Sequence, residues 1–354
     1  MMKRHTFIFR IFASSLFSAY LFFLFSPIEK AQIKKAYAEN WVEAQAECVM
    51  EINSRRILYE AHGDIRLPMA STTKILTCAT VLEECEDLKE EITIPSEAAG
   101  VEGSSVYLKE NDVYTVEDLL YGLMLRSGND CATALALRFG GNIEKFAAKM
   151  NQTAQKAGAL ASNFENPHGL PCVDHYTTAR DLSLITSYAM QKTEFRKIVS
   201  TKYYQPCHWK NKNKMLDLYE GGIGVKTGYT RQAGRCLVSA AQRDNMTLVC
   251  TVLNCPTTYE RSIKLLDDAF ANYENVKLLG ADEILTIEDG KSIQQGISRE
   301  DFFYPLLKEE KDLIEIKTMP VKTTIKSKKT KEIIGQFEIY LSKRLLFSGN
   351  LYKL

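Results

Sequence analysis

The sequence predicts a mixed α/β (α+β) fold, in which an antiparallel sheet is flanked by helices and is followed by a small all-β domain. Two strand-like runs, 235–241 and 246–253, follow each other closely, which predicts neighbouring antiparallel strands of one sheet. Apolar residues recur at helical spacing from 116 to 124, which predicts a buried helix. From about residue 276 the apolar runs become short and alternating, which indicates a β-rich region.

Further elements are predicted on both sides of these. Near the start, the runs 47–52 and 56–60 are separated by three residues and predict a hairpin. An apolar run after Ser71 predicts a buried helix, and helices are also predicted from residue 131 and over 177–191. The strands predicted in the last region are 284–287, 313–316, 320–326 and 333–340.

Size and charge bound the class of protein. The chain has 354 residues, of which 45% are hydrophobic and 25% charged, and its formal net charge is +1. A chain of this length can bury a sizeable core and is expected to form two domains. The balanced charge gives no support for a nucleic-acid partner. A basic run over 322–331 is interpreted as a solvated strand and turn.

The N-terminus has the pattern of a secretory signal. A basic head precedes an uncharged apolar run over 11–25, and an Ala-Tyr-Ala segment ends at residue 38. This order predicts a signal peptide over 1–38, cleaved before Glu39, and an exported protein. The alternative is an uncleaved anchor, although the apolar run is short for a bilayer span. Because the chain stops at Leu354 without an amphipathic helix, we expect membrane attachment only through an uncleaved signal, if at all.

Nine cysteines, an odd number, show no C-x-x-C pair and no Cys/His ligand spacing. A zinc site is therefore not predicted, and no other metal is expected. Cys78, Cys131, Cys236 and Cys250 fall in apolar stretches, where cysteine behaves as a small buried hydrophobe. Whether any of the nine form disulfides is left open by the sequence.

The segment richest in chemistry begins at Ser71. Pro68 favours an extended backbone before it, and Ser71 is a good N-cap for the helix that follows. Residues three apart share one helix face, so the amine of Lys74 can reach the Ser71 hydroxyl and take its proton. The free N–H groups at a helix start also favour the negative oxygen of acyl transfer. The alternative is a capping serine beside a solvated lysine, since S-x-x-K is common by chance.

A polar turn lies between two predicted buried helices at 126–130. Gly128 and Asn129 mark the turn, and polar groups between buried helices need partners. Either Ser127 and Asn129 cap the next helix, or both project into a cleft beside Lys74. In the polar loop 163–170, His168 is undecided between a structural and a catalytic role.

A third polar group, Lys226-Thr-Gly228, precedes the two neighbouring strands. A glycine inside a strand permits close approach of another backbone, here at Gly228. A ligand could therefore lie along this edge and pair with the backbone, as peptides do when they add a strand to a sheet.

Taken together, Ser71-x-x-Lys74, Ser127-x-Asn129 and Lys226-Thr-Gly228 resemble the three motifs of penicillin-binding proteins and serine β-lactamases. The middle motif is S-G-N where relatives often have S-D-N or Y-x-N, and Ser and Asn are the members with chemistry. The surrounding segments 68–74, 127–130, 166–170 and 226–230 resemble the low-molecular-weight, serine-type D-alanyl-D-alanine carboxypeptidases. The resemblance covers roughly residues 40–277.

The resemblance implies a transpeptidase-like catalytic domain over 39–277, with a helical subdomain, and a β-rich accessory domain over 278–354. It implies Ser71 as the acyl-ester nucleophile, Lys74 as the proton acceptor, Ser127 as a proton shuttle and Asn129 as a ligand of the substrate amide. Lys226 and Thr227 are implied to bind the terminal carboxylate of the substrate, with Arg261 a weaker ligand of that carboxylate. Gly228 is implied to permit the close approach of the substrate backbone. Tyr229 is implied to donate its backbone N–H to the oxyanion. No cofactor is implied.

The implied activity is removal of the terminal D-alanine from peptidoglycan stem pentapeptides, with β-lactams as acylating inhibitors. Alternatives are a D,D-endopeptidase or transpeptidase on the same acyl-enzyme, and a penicillin-binding wall scaffold without turnover. A β-lactamase would need a deacylating base, for which Glu165 is a candidate, but its loop resembles the carboxypeptidases. The implied location is the extracytoplasmic face of the membrane, the cell wall or a spore intermembrane space.

Overall fold

The computed structural model describes residues 44–288, 292–320 and 333–354, and residues 44–354 form one compact unit. Its helices alternate with strands along the first two thirds of the chain, as the α+β prediction requires. The helices are α1 (Lys74–Glu84), α2 (Val116–Tyr121), α3 (Asn129–Gly140), α4 (Ile143–Ala157), α5 (Ala179–Ala189), α6 (Thr193–Ser200), α7 (Met215–Leu218) and α8 (Thr258–Asn272).

The strands fall into two groups along the chain, one that ends at residue 253 and one that follows it. The strands up to residue 253 are β1 (Ala46–Glu51), β2 (Ile57–Ala61), β3 (Glu91–Thr93), β4 (Val113–Thr115), β5 (Tyr203–Tyr204), β6 (Trp209–Lys210), β7 (Gly222–Thr230), β8 (Gly234–Arg243) and β9 (Met246–Leu253). The later strands are β10 (Tyr273–Leu279), β11 (Ile284–Glu288), β12 (Ile293–Ile297), β13 (Phe302–Leu307), β14 (Ile314–Pro320), β15 (Ile333–Leu341) and β16 (Arg344–Lys353).

A five-stranded antiparallel sheet in the order β2-β1-β9-β8-β7 forms the centre of the molecule. The predicted pairing of the runs 235–241 and 246–253 is confirmed, with Ser239 opposite Cys250. The hairpin predicted at 47–60 is also confirmed as β1 and β2. Strand β7 lies at the edge of the sheet, so one side of its backbone is free of a neighbouring strand.

Both faces of this sheet are covered, because successive side chains of a strand point to opposite faces. On one face, Met50, Val238 and Val249 join the core formed with α1, α3, α4 and α5. On the other face, Leu237 and Cys250 pack with residues of α8. All eight residues of β9 are therefore buried, which explains why apolar residues occur on both faces of this strand and do not alternate with exposed polar ones.

The predicted helix over 116–124 begins at Val116 as expected, but α2 gives way to a π-helical turn over Gly122–Arg126. Thr115 starts the helix through a capping box with Asp118. The next helix, α3, begins at Asn129, so Asn129 belongs to its first turn. This helical region packs against α1 and brings the 126–130 turn towards the sheet.

Residues from 276 onward build a third hydrophobic core under the sheet β11-β12-β16-β15-β14, which confirms the β-rich region. Arg56, in the β1–β2 hairpin, connects this region to the first sheet: its guanidinium donates to the Pro305 carbonyl and pairs with Glu310 at 2.7 Å. Both side chains of that pair are at most 10% exposed. Such a buried pair stabilises only when the geometry is good, as it is here.

Some predictions lie outside the described residues: the signal peptide over 1–38, most of the strand 320–326, and the basic run over 322–331. Across the ranges that the structure describes, none of the helices is long and apolar enough to cross a membrane. Every cysteine falls within those ranges, and each of the nine carries a free thiol.

Candidate active site

An open cavity of about 530 Å³ lies between the segment that carries Ser71 and the edge strand β7. Members of all three sequence motifs line it, together with residues of β8 and of the start of α8. The lining residues are Ser71, Ser104, Ser127, Lys212, Thr227, Gly228, Tyr229, Arg235, Cys236, Thr258 and Tyr259.

Ser71 lies in a short 3₁₀ turn, Ala70–Thr73, that runs directly into α1. The prediction that Ser71 is the N-cap of an α-helix is therefore wrong in detail, because the chain already coils one turn earlier, after Met69. Ala70 has a φ of +51°, a left-handed conformation that costs a non-glycine residue about 1–3 kcal/mol. The residue before the candidate nucleophile is thus held in a strained conformation by its surroundings.

Lys74 is fully buried, and its amine has three acceptors. Nζ donates to Ser71 Oγ at 3.1 Å, to Asn129 Oδ1 at 2.7 Å and to the His168 carbonyl at 2.7 Å. Burial, and then the nearby charge of Lys226, hold the pKa of Lys74 well below its usual range. A neutral amine in contact with a serine hydroxyl can accept its proton.

The turn at 126–130 contributes two side chains from buried positions. Ser127 has a φ of +65° where the π-helical turn ends, and its side chain lines the cavity. Asn129 accepts from Lys74 through Oδ1 and donates through Nδ2 to the Glu102 carbonyl at 2.5 Å. Ser127 therefore lies at the cavity and Asn129 lies against Lys74, which favours the second of the two sequence alternatives.

The opposite wall is strand β7, which carries Lys226, Thr227, Gly228 and Tyr229. A Cβ placed on Gly228 would lie 3.0 Å from the Met69 carbonyl oxygen and 3.1 Å from the Ser71 nitrogen, which is tighter than ordinary contact, so glycine favours this close approach of the strand. Lys226 is 2% exposed, and its amine donates to the Thr227 carbonyl at 2.9 Å. Burial, with a smaller contribution from the charge of Lys212, lowers the pKa of Lys226 to about 7.

Arg261 does not line the cavity, which corrects its prediction as a carboxylate ligand. Its guanidinium donates to both carboxylate oxygens of Glu47, at 2.6 and 2.7 Å, and both side chains are at most 3% exposed. The pair ties α8 to β1. The guanidinium also donates to Tyr59 Oη at 3.2 Å, so these contacts give Arg261 a structural role outside the cavity lining.

His168 contributes its backbone, since its carbonyl accepts from Lys74. The ring accepts from the Leu170 N–H through Nδ1, and burial together with the charge of Lys74 lowers the pKa of His168 to about 3. The Glu165 carboxylate accepts from the backbone N–H of Asp174 and is not part of the cavity lining. The structure thus directs the Glu165 carboxylate to Asp174 and not into the cavity.

Several residues of the site carry no motif in the sequence. Lys212 and Arg235 add positive charge to the cavity wall. Asp130 is fully buried and accepts from Ser105 Oγ and from two backbone N–H groups of 106–108, which fixes the segment that contains Ser104. Only Asp130 had a sequence signal, as the charged residue directly after the S-G-N motif.

The sequence model of the Peptidase_S11 family, described as D-alanyl-D-alanine carboxypeptidase, matches residues 33–257. A Bacillus subtilis protein named D-alanyl-D-alanine carboxypeptidase DacF is 29% identical over 322 residues, covering 86% of this chain and 83% of that protein. A Haemophilus influenzae protein named D-alanyl-D-alanine carboxypeptidase DacA is 35% identical over 269 residues, covering 72% of this chain and 66% of its own length.

The fold has close structural relatives as well. The structure of penicillin binding protein 5 from Haemophilus influenzae superposes with a TM-score of 0.73 at 29% sequence identity. The match covers 89% of this chain and 97% of that one. The likeness therefore includes the C-terminal β-rich region as well as the sheet with the motifs.

Proposed function

Because the chain belongs to the Peptidase_S11 family of D-alanyl-D-alanine carboxypeptidases, we propose that it removes the terminal D-alanine from peptidoglycan stem pentapeptides through an acyl-enzyme on Ser71. The observation that carries this proposal is the 3.1 Å contact between the Ser71 hydroxyl and the fully buried amine of Lys74. A lysine with a lowered pKa beside a serine is the arrangement needed to activate the hydroxyl near neutral pH.

In the acylation step, Ser71 Oγ bonds to the carbonyl carbon between the last two D-alanines while Lys74 Nζ accepts the hydroxyl proton. The carbon–nitrogen bond then breaks, and Ser127 relays the proton from Lys74 to the leaving amine, which departs as D-alanine and leaves Lys74 neutral again. In the second step a water attacks the ester carbonyl and gives a proton to Lys74. The bond from the acyl carbon to Ser71 Oγ then breaks, and the same proton passes to Ser71 Oγ, which regenerates the enzyme. Each step transfers one proton and needs no redox partner.

The negative oxygen formed in both steps would bind the backbone N–H groups of Ser71 and Tyr229. The close approach at Gly228 supports this assignment, since it brings the strand against the Ser71 nitrogen. Fixed backbone donors in a partly desolvated site stabilise developing charge without reorganisation, and losing one typically costs about 10²–10³ in rate.

The substrate's terminal carboxylate would bind beside Lys226 and Thr227. Lys212 and Arg235 line the same cavity and supply the positive charge first assigned to Arg261. Asn129 would hold Lys74 in place through Oδ1 and offer the second hydrogen of Nδ2 to a carbonyl of the stem peptide.

The finer features of the proposal concern domains and location. We assign residues 1–38 to an export signal, 39–277 to the catalytic domain and 278–354 to an accessory domain. Acting on peptidoglycan requires work outside the cytoplasm, which the apolar N-terminal run supports. The exported protein would meet its substrate at the outer face of the membrane, in the wall or in a spore intermembrane space.

The test compares wild-type protein with Ser71→Ala in two assays. A fluorescent penicillin should form an adduct that survives a denaturing gel, and a peptide ending in D-Ala-D-Ala should release D-alanine. Ser71→Ala should lose both activities. Ser348→Ala, a change at an exposed position of β16, is the matched control and should keep both.

Each failure has a distinct meaning. Well-folded wild-type protein that forms no adduct would contradict the acyl-enzyme. An adduct without any D-alanine release would contradict the carboxypeptidase activity and favour the scaffold without turnover. Cleavage of cross-linked stem dimers in preference to pentapeptides would favour the endopeptidase.

A further inference from the structure

The loop 163–175 packs against the strained Ala70. A Cβ placed on Gly169 would lie 1.9 Å from the Ala70 carbonyl oxygen, so the loop backbone rests directly on that carbonyl. The Asn166 side chain accepts from the Gly169 N–H at 2.7 Å and fixes the loop at this point. The Ala70 carbonyl therefore has little freedom to move.

A directed chain of hydrogen bonds ends on the same carbonyl. His175 is buried, and its Nδ1 accepts from the Glu165 N–H at 3.0 Å. Burial lowers the pKa of His175 to about 4, so the ring is neutral and its one proton is on Nε2. Nε2 lies 2.9 Å from Thr73 Oγ1, which must accept, and the Thr73 hydroxyl then donates to the Ala70 carbonyl at 2.9 Å.

The carbonyl of Ala70 and the N–H of Ser71 belong to one peptide group. A trans peptide is planar, and its C=O and N–H point in opposite directions, so fixing the carbonyl also fixes the direction of the N–H. The Ser71 nitrogen lies on the β7 side, near Gly228, where the negative oxygen would form. Orientation of this one peptide thus decides whether an oxyanion donor is in place before substrate arrives.

We propose that His175 is a positioning residue which, through Thr73, fixes the peptide between Ala70 and Ser71 and so presets the oxyanion donor of Ser71. The inference rests on the proposed function, because it assigns an oxyanion to that N–H. The inference adds His175 and Thr73 to the residues that support catalysis, although neither touches a substrate atom. It also gives the second threonine of Ser71-Thr-Thr-Lys74 a role of its own.

The experiment measures acylation by a fluorescent penicillin and separates the non-covalent affinity from the acylation rate constant. Thr73→Val keeps the side-chain shape but can neither accept from His175 nor donate to Ala70. We expect its acylation rate constant to fall about 10- to 100-fold, with the non-covalent affinity unchanged, because a misdirected oxyanion donor affects only the charged state. Thr73→Ser restores the hydroxyl and should recover most of the rate.

A second pair of variants tests His175 itself. His175→Gln places an amide N–H near the position of Nε2 and should retain most of the rate constant, whereas His175→Asn is too short to reach Thr73 and should lose it. If both side chains act through the same peptide, the double variant Thr73→Val with His175→Asn should be no slower than the slower single variant.

The control for general destabilisation is Thr186→Val in α5. Its hydroxyl is also buried and also donates to a backbone carbonyl, that of Leu182 at 2.6 Å, but it lies outside the site. Thr186→Val should lower the melting temperature without changing the acylation rate constant. Wild-type rate constants in folded Thr73→Val and His175→Asn would overturn the positioning role, as would a loss confined to non-covalent affinity. Wild-type protein that is never acylated would instead overturn the proposed function.

Discussion

The cavity has two walls, a helical wall with the Ser71 turn, α1 and the 126–130 turn, and a strand wall formed by β7. Each wall buries one lysine, but the surroundings differ. Lys74 on the helical wall is held by three acceptors, a hydroxyl, an amide and a carbonyl. Lys226 on the strand wall donates to the carbonyl of the next residue and lies near the charge of Lys212.

This difference indicates how one cavity can contain both a base and a cation. On the helical wall, burial and the charge of Lys226 favour neutral Lys74. A neutral amine has two N–H donors, which Asn129 Oδ1 and the His168 carbonyl accept, so its lone pair is left for the Ser71 hydroxyl. On the strand wall, burial lowers the pKa of Lys226 to about 7, and in the proposed function an anionic substrate beside it would favour the charged form. The proposed function thus gives two identical side chains opposite roles through their neighbours.

The largest expected effect comes from removing the base on the helical wall. Lys74→Met keeps an apolar side chain of similar length but leaves Ser71 without a proton acceptor, so acylation by fluorescent penicillin should fall by about 10²–10⁴. Lys149→Met, which removes an exposed lysine paired with Glu84, is the control and should acylate normally. Rapid acylation of folded Lys74→Met would show that another group is the base.

The next effect is on the stability of the fold and concerns Arg261 in α8. Arg261→Met should lower the free energy of unfolding by about 3–5 kcal/mol, because it leaves the Glu47 carboxylate buried without its partner. Urea titration would measure the loss, and the folded fraction should still be acylated at the wild-type rate. Lys264→Met removes a half-exposed pair with Asp268 on the same helix and should cost less than about 1 kcal/mol. Slow acylation of folded Arg261→Met would return Arg261 to the site.

A smaller effect is expected in the pH dependence of kcat/KM for a D-Ala-D-Ala peptide. In the proposed function the charged form of Lys226 binds the carboxylate, and its pKa in the free enzyme is about 7, so kcat/KM should decline as pH rises above that value. Lys226→Arg stays charged throughout and should remove this decline, at some loss of rate because the guanidinium is larger. A wild-type profile without a decline up to about pH 9 would contradict the assignment.

The smallest effect refines the same measurement. Lys212→Met removes a positive charge near Lys226, and because a like charge disfavours the protonated form, the pKa of Lys226 should rise. The decline in kcat/KM should move to higher pH by less than about one unit. Lys210→Met, at an exposed position outside the cavity lining, should leave the profile where it is. A shift to lower pH would show that Lys212 stabilises the cation through a bound anion.

The sequence by itself determined the features that depend on near neighbours. The i, i+3 spacing of Ser71 and Lys74 gave their contact, the short separation of β8 and β9 gave their pairing, and the glycine of Lys226-Thr-Gly228 gave the close approach of the strand. Each follows from helix or strand geometry within a few residues. The order of the three motifs then indicated the family.

Only the tertiary structure decided which distant groups meet. Arg261 was predicted as a weaker carboxylate ligand, yet its guanidinium donates to Glu47, 214 residues away, and to Tyr59. His175 lies in a loop without a motif, and its ring contacts Thr73, 102 residues away in the sequence. Lys212 also lies in a loop without a motif, and folding brings it to the cavity wall, where its charge acts on Lys226. Burial and long-range pairing set these partners, and burial is a property of the packed molecule that no local window of the sequence contains.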